Sequence, residues 1–303
     1  MYAESVDSES EEKEPTELVL TYSRQEAPKK ETAANISVVT REDIEKLPAS
    51  NVGEVLQYLP GVYVELTGGL GSQSTASIQG SSVRHVAVYQ DGVPLNMLDN
   101  PMTDLSYLPV DVIERIEVYK GSASSAWGSS LGGVINIITR EPDLSRNFKA
   151  DILSTYGQFD TVREVGTFSG AADRLSYLLS LSHHQSDGFT PHSEYRQDSV
   201  YSKMNYYFGK ASRVNLVCSY DEGRNASPSG LFQTYFPPFW DDAIRKRAYQ
   251  RILLESPLAD GINWTIEGRH HEFDASIDDV LTDRTERFFD YRDETWGISS
   301  RIT

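Results

Sequence analysis

The sequence predicts an α+β domain followed by the first strands of an antiparallel transmembrane β-barrel. Three observations carry this. Between Ile36 and Pro142, short strand runs mix with two capped helical segments and two loose loops. Beyond Pro142 the chain turns to tyrosine-rich segments of about ten residues that alternate apolar and polar, the period of a strand with two different faces. The connections there are alternately long and short, as in outer-membrane barrels with long outer loops and tight inner turns. Soluble sandwiches share the strand pattern, and the loop alternation is what favours the barrel.

Composition narrows the function classes. The 303 residues hold 28 Lys plus Arg against 45 Asp plus Glu, a formal charge of -17. A phosphate backbone would repel such a chain, so nucleic acid is not expected as a partner. The lone cysteine, Cys218, rules out an internal disulfide and a cysteine metal site. No apolar run is long enough for a transmembrane helix, which leaves spanning strands open. The start, "MYAESVDSESEEKEP", lacks the apolar region of a signal peptide. Either a signal was removed or the protein stays in the cytoplasm, and hydropathy does not separate the two.

The elements follow in order. Residues 1–14 carry Glu4, Asp7, Glu9, Glu11, Glu12 and Glu14 and read as a disordered acidic tail. "TELVLTYSR", Thr16 to Arg24, is a short β-branched run, either an ordinary first strand or a strand offered to a partner by edge addition. "ISVV" reads as a strand. Thr40 can cap a helix "REDIEKL", with Asp43 at the capping-box position, and Ser50 can cap "NVGEVLQYL", ended by Pro60-Gly61. "VYVEL" is a strand, followed by the loop "TGGLGSQST". "HVAVY" runs into the hairpin turn Asp91-Gly92. A second loop is "NMLDNPMTD", and "DVIERIEVY" and "GVINIIT" are the last strands of the unit. In the second half, Leu175, Tyr177, Leu179 and Leu181 share one face against Ser176, Ser180 and Ser182. Val200, Met204, Tyr206 and Phe208 oppose Lys203 and Asn205, and Val214, Leu216, Cys218 and Tyr220 fall together. The long loops are expected at "HHQSDGFTPHSEYRQDS" and "DEGRNASPSGLFQTYFPPFWDDAIRK", with tight turns such as "GKAS" between the others.

The glycine- and serine-rich stretch from Arg115 to Arg140 invites a phosphate-cradle reading, which fails. A P-loop needs Gly-Lys-Ser/Thr after its first glycine and four residues, and no Lys follows Gly132 or Gly133. The nearest dinucleotide fingerprint, beginning Gly69-Leu70-Gly71, has Ser74 where the third glycine belongs. No Ser-His-Asp or paired-carboxylate arrangement is legible, so an enzyme is not expected.

The motifs together resemble the TonB-dependent outer-membrane receptors, and most closely their vitamin B12 (cobalamin) subgroup. "SVVTREDIEKLPASNVGEVLQYLPGVYV", "IQG", "QDGVPLN", "IERIEVYKG" and "SSAWGSSLGGVINIIT" match that family's plug signatures in order. The resemblance runs from about Thr16 to the end. It implies a plug domain over residues 25–143 and the start of a 22-stranded barrel over 144–303. "WGISSRIT" stops in mid-strand, so a fragment that cannot close a barrel is expected. Residues 15–24 would hold the TonB box, with Glu17, Leu18, Val19, Leu20 and Thr21 pairing with the periplasmic TonB protein. The implied location is the Gram-negative outer membrane, with the plug in the barrel lumen, the N-terminus periplasmic, lipid around the wall and a monomeric state.

The resemblance also assigns roles. The implied function is energy-coupled import of a large scarce nutrient, cobalamin or a related corrinoid. A ferric siderophore or heme receptor is the alternative, and a passive or adhesive barrel is the rival of another class. Substrate contacts would come from Leu70, Gln73 and Ser74 in the first plug loop (Leu66 to Ala76). Asn96, Met97, Asp99 and Asn100 would add to them from the second (Leu95 to Thr103), with Phe232, Tyr235, Phe236, Phe239 and Trp240 from outer loops. Neither plug loop contains Lys or Arg, which argues for a weakly charged ligand. Arg115, Gly121, Trp127, Gly128, Gly132, Gly133 and Asn136 would be structural: glycines turning against the curved wall, Trp127 an apolar anchor, Asn136 tying backbone groups. The family pairs Arg115, and an Arg where this chain has Gln79, with barrel glutamates, so half of that latch is missing here. His183-His184 and His270-His271 point to opposite strand faces and do not chelate side by side. Asp187, Asp198, Asp221 and Glu222 are a candidate calcium set by oxygen ligation. No other cofactor is expected.

Overall fold

The computed structural model describes residues 18–20, 26–28, 35–66, 68–123, 127–209, 211–228, 240–259, 261–280 and 286–303. The acidic tail lies outside them. At the N-terminal end, β1 (Leu18–Leu20) pairs antiparallel with β2 (Glu26–Pro28).

The plug is an α+β unit whose boundaries follow local chemistry. Strand β3 (Ile36–Thr40) runs into helix α1 (Arg41–Glu45). Thr40 and Asp43 form a reciprocal capping box that satisfies the exposed first-turn amides. Helix α2 (Val52–Leu56) is capped by Asn51, one residue beyond the expected Ser50. Ser50 instead receives Glu54, whose carboxylate accepts from its amide at 2.7 Å and its hydroxyl at 3.0 Å. Strands β4 (Val62–Leu66) and β5 (Ser74–Ile78) form a separate pair. β5 lies partly in what the sequence read as loop. Its Ser-Thr-Ala-Ser run carries no apolar alternation, yet Ser74, Ala76 and Ile78 are buried.

Strands β6 (Val86–Gln90), β7 (Val93–Pro94), β8 (Ile113–Lys120) and β9 (Gly133–Thr139) join β3 in a five-stranded sheet of order β3-β8-β9-β6-β7. The Asp91-Gly92 turn between β6 and β7 has φ of 47° and 85°, the double positive that a two-residue I′ hairpin turn requires. The core is aliphatic, with Ile78, Val88, Ile116, Val118, Ile135 and Ile137 at its centre. Trp127 is buried against the rings of Tyr89 and Tyr119, at 5.0 and 5.6 Å between centroids. The Tyr89 hydroxyl donates to its carbonyl.

The wall is a single open antiparallel sheet of eight strands, each paired with its sequence neighbours. In order these are β10 (Lys149–Tyr156), β11 (Val162–Ala172), β12 (Leu175–Ser186), β13 (Tyr195–Phe208), β14 (Ser212–Pro228), β15 (Trp240–Ala259), β16 (Ile262–Val280) and β17 (Glu286–Ile302). The strands run well into the expected long loops. The first loop shrinks to residues 187–194, and β14 and β15 consume both ends of the second. Cross-strand ion pairs explain this, because polar residues that read as loop pair across the ladder: Arg224 with Asp242, and Lys246 with Glu222.

Register separates the two faces. Outward positions include an apolar row, Tyr177–Met204–Leu216–Ile252, and six residues further along β12 a charged row, His183–Asp198–Glu222–Lys246–Asp274–Arg292. Inward positions are buried and largely polar: Ser176, Ser180, His184, Gln197, Lys203, Asn215, Asp221, Arg245 and Arg247. That apolar-out, polar-in order is the reverse of a soluble sandwich and suits a wall in lipid.

The glycine-rich stretch serves packing inside the plug. Gly121, Gly128 and Gly133 take positive φ, and Gly132 does not. A side chain at Gly132 would meet Ser81, and one at Gly133 would lie 2.4 Å from the Tyr119 carbonyl, so the crowding comes from the plug itself and not from the wall. Gly133→Ala, at φ 149°, should therefore destabilise the plug by about 1–3 kcal/mol. Denaturant unfolding checks this, and an unchanged midpoint would contradict it.

Candidate functional site

Three plug aspartates meet cations projecting from the wall. Asp111, just before β8, accepts from Arg163 Nη2 of β11 at 2.5 Å and contacts His184 Nε2 of β12 at 3.1 Å. Burial alone would push its carboxyl upward. The bonds from His184 and Arg163 outweigh that and hold it below the usual carboxylate range. Asp91, in the β6–β7 turn, accepts from the Thr139 amide at 3.2 Å and the Tyr201 hydroxyl at 3.0 Å, with Lys203 Nζ at 3.5 Å. Lys203 also reaches Glu141 at 3.0 Å. Asp104 lies 3.9 Å from Arg245 Nε, and its carbonyl accepts from Arg247 Nη2 at 3.1 Å.

Asp104 also ties the plug loops together. Its Oδ1 accepts from the Ser74 amide at 3.0 Å, the Ser106 amide at 3.1 Å and the Ser106 hydroxyl at 2.7 Å. It thereby caps the 3-10 turn Leu105–Tyr107 that closes the second loop. Tyr107 is buried in the wall. Its hydroxyl donates to Asn225 at 2.5 Å and accepts from Arg245 at 2.9 Å. Burial pushes the Tyr107 phenol up to about 12, so it stays a neutral donor.

The contact residues expected from the sequence divide into two groups. Leu70, Gln73, Met97 and Asn100 are half-buried, and Asp99 is exposed. Ser74 is buried at the start of β5 and Asn96 is a structural clamp. Its Oδ1 accepts from the Val88 amide at 2.7 Å, and its Nδ2 donates to the carbonyls of Val86 and Pro101. Neither is placed to meet a ligand. The tip of the second loop touches the wall, where the Leu98 amide donates to Asp293 of β17. Phe232, Tyr235, Phe236, Phe239 and the Trp240 side chain, with Glu17 and Thr21, lie outside the described residues.

Other assignments shift. Arg115 holds Glu117 on its own strand at 2.8 Å. The buried Glu117 carboxylate also accepts from Tyr119 at 2.8 Å and Asn136 at 3.1 Å, so Asn136 ties a side chain and not the backbone. The wall glutamates Glu255 and Glu267 line the same cleft as Arg115, about 790 Å³ in volume, and pair with Arg213 and Arg251. Gln79 is exposed in the turn after β5. The four calcium candidates are not brought together. Asp221 faces inward, Glu222 and Asp198 face outward, and Asp198 is taken by His183 and Arg196. Among the described residues no group of three or more His, Cys, Asp or Glu could hold a metal ion. Cys218 is half-buried on the outward face beside Leu216 and Tyr220. His270 stacks on Trp296 on that face, while His271 is buried inward.

Sequence reading missed Asp91, Asp104, Tyr107, Asp111, Arg163, His184, Arg245 and Arg247 as the contacts between plug and wall. The available signal was strand parity: polar residues on the inward positions of β11 to β15 needed polar partners from some other element.

Residues 28–134 match the family model described as the TonB-dependent Receptor Plug Domain. Solved structures share the fold over most of the chain. The siderophore receptor PiuA from Acinetobacter baumannii matches with a TM-score of 0.74 at 20% identity, over 91% of this chain and 43% of that one. BauA, the ferric preacinetobactin receptor of the same species, gives 0.73 at 14% identity, over 93% and 46%. Fiu, the ferric-catecholate import receptor of E. coli K12, gives 0.68 at 16% identity, over 95% and 48%. This chain therefore spans less than half the length of each of these three proteins. The fold is a plug domain with the antiparallel strands of a partial barrel.

The Asp111 contacts make two measurable statements. Asp111→Ala leaves Arg163 and His184 without their carboxylate and should cost on the order of 3 kcal/mol. Because the folded carboxyl sits below its unfolded value, its contribution is present above the ordinary carboxylate range and is lost as pH falls through the lowered folded value. Unfolding titrations from pH 7 down to about 2 should show this loss in the parent and not in the variant. Parallel pH profiles would contradict it.

Proposed function

We propose that this chain is the plug and early wall of an energy-coupled outer-membrane receptor, and that its cargo is a ferric siderophore. The observation that carries the class is a folded domain seated on the polar face of a lipid-type wall and held there by ion pairs. A passive pore gains nothing from such an obstruction. A receptor that binds at the surface and releases inward needs one it can shift. The β1 strand at Leu18–Leu20 supplies an element that a partner such as TonB can engage by strand addition.

The siderophore class replaces the corrinoid expectation. The three solved structures described above are named as receptors for a siderophore, for ferric preacinetobactin and for ferric catecholates. The plug loops carry no Lys or Arg, and the nearest wall guanidinium groups, Arg245 and Arg247, are buried and engaged by Tyr107, Asn225 and the Asp104 carbonyl, so the ligand class rests on the relatives and not on charge in these loops. Leu70, Gln73, Met97, Asp99 and Asn100 remain the proposed plug contacts, and calcium has no support from the placement of the acids. Such a receptor works without chemistry of its own: it binds, holds and releases.

Two measurements test this. Titration of the purified protein with ferric siderophores, heme and cyanocobalamin should give tight binding of a ferric siderophore. Binding of cyanocobalamin alone would return the corrinoid reading. Separately, Leu18→Pro or Val19→Pro removes a backbone donor from β1. Uptake should be lost with surface binding intact, and normal uptake would remove the coupling role of this segment.

A further inference from the structure

Plug and wall interlock through two reciprocal notches in one small patch. Plug Tyr107 fills a gap at Gly223 of β14, where a Cβ would lie 1.9 Å from the ring. Wall Tyr195 of β13 fills a gap at Gly71 of the first plug loop, again with 1.9 Å to a hypothetical Cβ. The two notches are neighbours, because Tyr195 pairs with Asn225 and Gln197 with Gly223 across β13 and β14. Gly223 in turn pairs with Arg245 on β15. Three adjacent strands at one height therefore receive both plug loops.

Polar contacts close the patch. Asn225 and Arg245 hold the Tyr107 hydroxyl, and Gln197 donates to its carbonyl at 3.3 Å. The Tyr195 hydroxyl donates to the same Gln197 at 2.5 Å. Inside the plug, Asp104 joins the end of the first loop at Ser74 to the end of the second at Ser106. The first loop is thus fixed by Gly71 on Tyr195, the second by Tyr107 in the Gly223 notch, and both by Asp104.

We propose that this double notch is the joint that makes the two plug loops move as one unit on the wall. Gly71, Tyr107, Tyr195 and Gly223 are then positioning residues: a ligand seated on either loop displaces the same patch, and through it the plug. The inference rests on the reading that these loops receive the ligand, but its mechanical content does not depend on which ligand that is. Steric fit sets the joint, since a packed interface with no room for a methyl group shifts between discrete arrangements and does not deform smoothly.

The test is amide hydrogen exchange on the ligand-free protein in detergent. The methyl of Gly223→Ala meets Tyr107 first, a residue outside the first loop. It should nevertheless speed exchange in both 66–76 and 95–103, on the order of tenfold, while the centre of β13 to β15 stays protected. Adding Tyr107→Ala to Gly223→Ala removes the clash but also the knob, so both loops should stay fast. Tyr107→Phe keeps the knob, loses the hydroxyl contacts and should give a smaller change in both loops. Faster exchange confined to 95–103 in Gly223→Ala and Tyr107→Phe would overturn the proposal, as would no change in either loop. Because no ligand is present, failure here leaves the siderophore reading untouched, and failure of the siderophore titration leaves the joint untouched.

Discussion

Burying an aspartate without a partner is costly, and this plug brings three of them to its wall. Asp91, Asp104 and Asp111 each lie within ion-pair distance of a wall cation: Lys203, Arg245 and Arg163 respectively. The pairing constrains the whole arrangement. It sets which plug surface faces which strands, and it requires an inner wall face rich in polar side chains. It also requires strand parity to hold from β11 to β15, because a slip of one residue would turn every one of these cations to the opposite, apolar face of the sheet.

The same constraint connects to movement. The plug's own interior is aliphatic, built on Ile78, Ile116, Ile135 and Ile137, and is expected to open as a unit. The seam against the wall is different in kind. Leu178, Tyr201, Val217 and Tyr249 extend the core into the wall, and the Tyr201 hydroxyl also meets Thr139 and Asp91. Ionic contacts can be exchanged for water when two surfaces part, whereas an all-apolar seam would expose hydrocarbon surface with no replacement. A domain that is internally dry and externally polar can move as one piece.

How much of this the sequence shows depends on the kind of signal. The Thr40–Asp43 box, the Asp91-Gly92 turn and the outward apolar rows are local, with chemistry written in adjacent residues or at a fixed period. β5 was hidden because Ser74 to Ser77 is small and hydroxylic, and its burial comes from neighbours distant in the chain. Asn96 looked like a loop amide open to ligand, and only the three-dimensional course of β6 shows it clamping Val88 and Val86. Parity placed Lys203 and Asn205 on the polar face, but a period of two says nothing about which plug atom lies opposite. The charged upper strands read as loops for a related reason. Arg224 and Asp242 carry no apolar pattern, and their pairing across β14 and β15 is a long-range fact.

The central claim is that charge pairing, more than apolar contact, seats the plug. It is tested most directly by removing the charges with little change in shape, as Asp91→Asn, Asp104→Asn and Asp111→Asn together, and following limited proteolysis of the plug and the wall in the same protein. The account predicts that cleavage within residues 35–142 becomes fast while the β11–β15 strands remain protected. Plug and wall that keep the parent's resistance, or that lose it together, would contradict it.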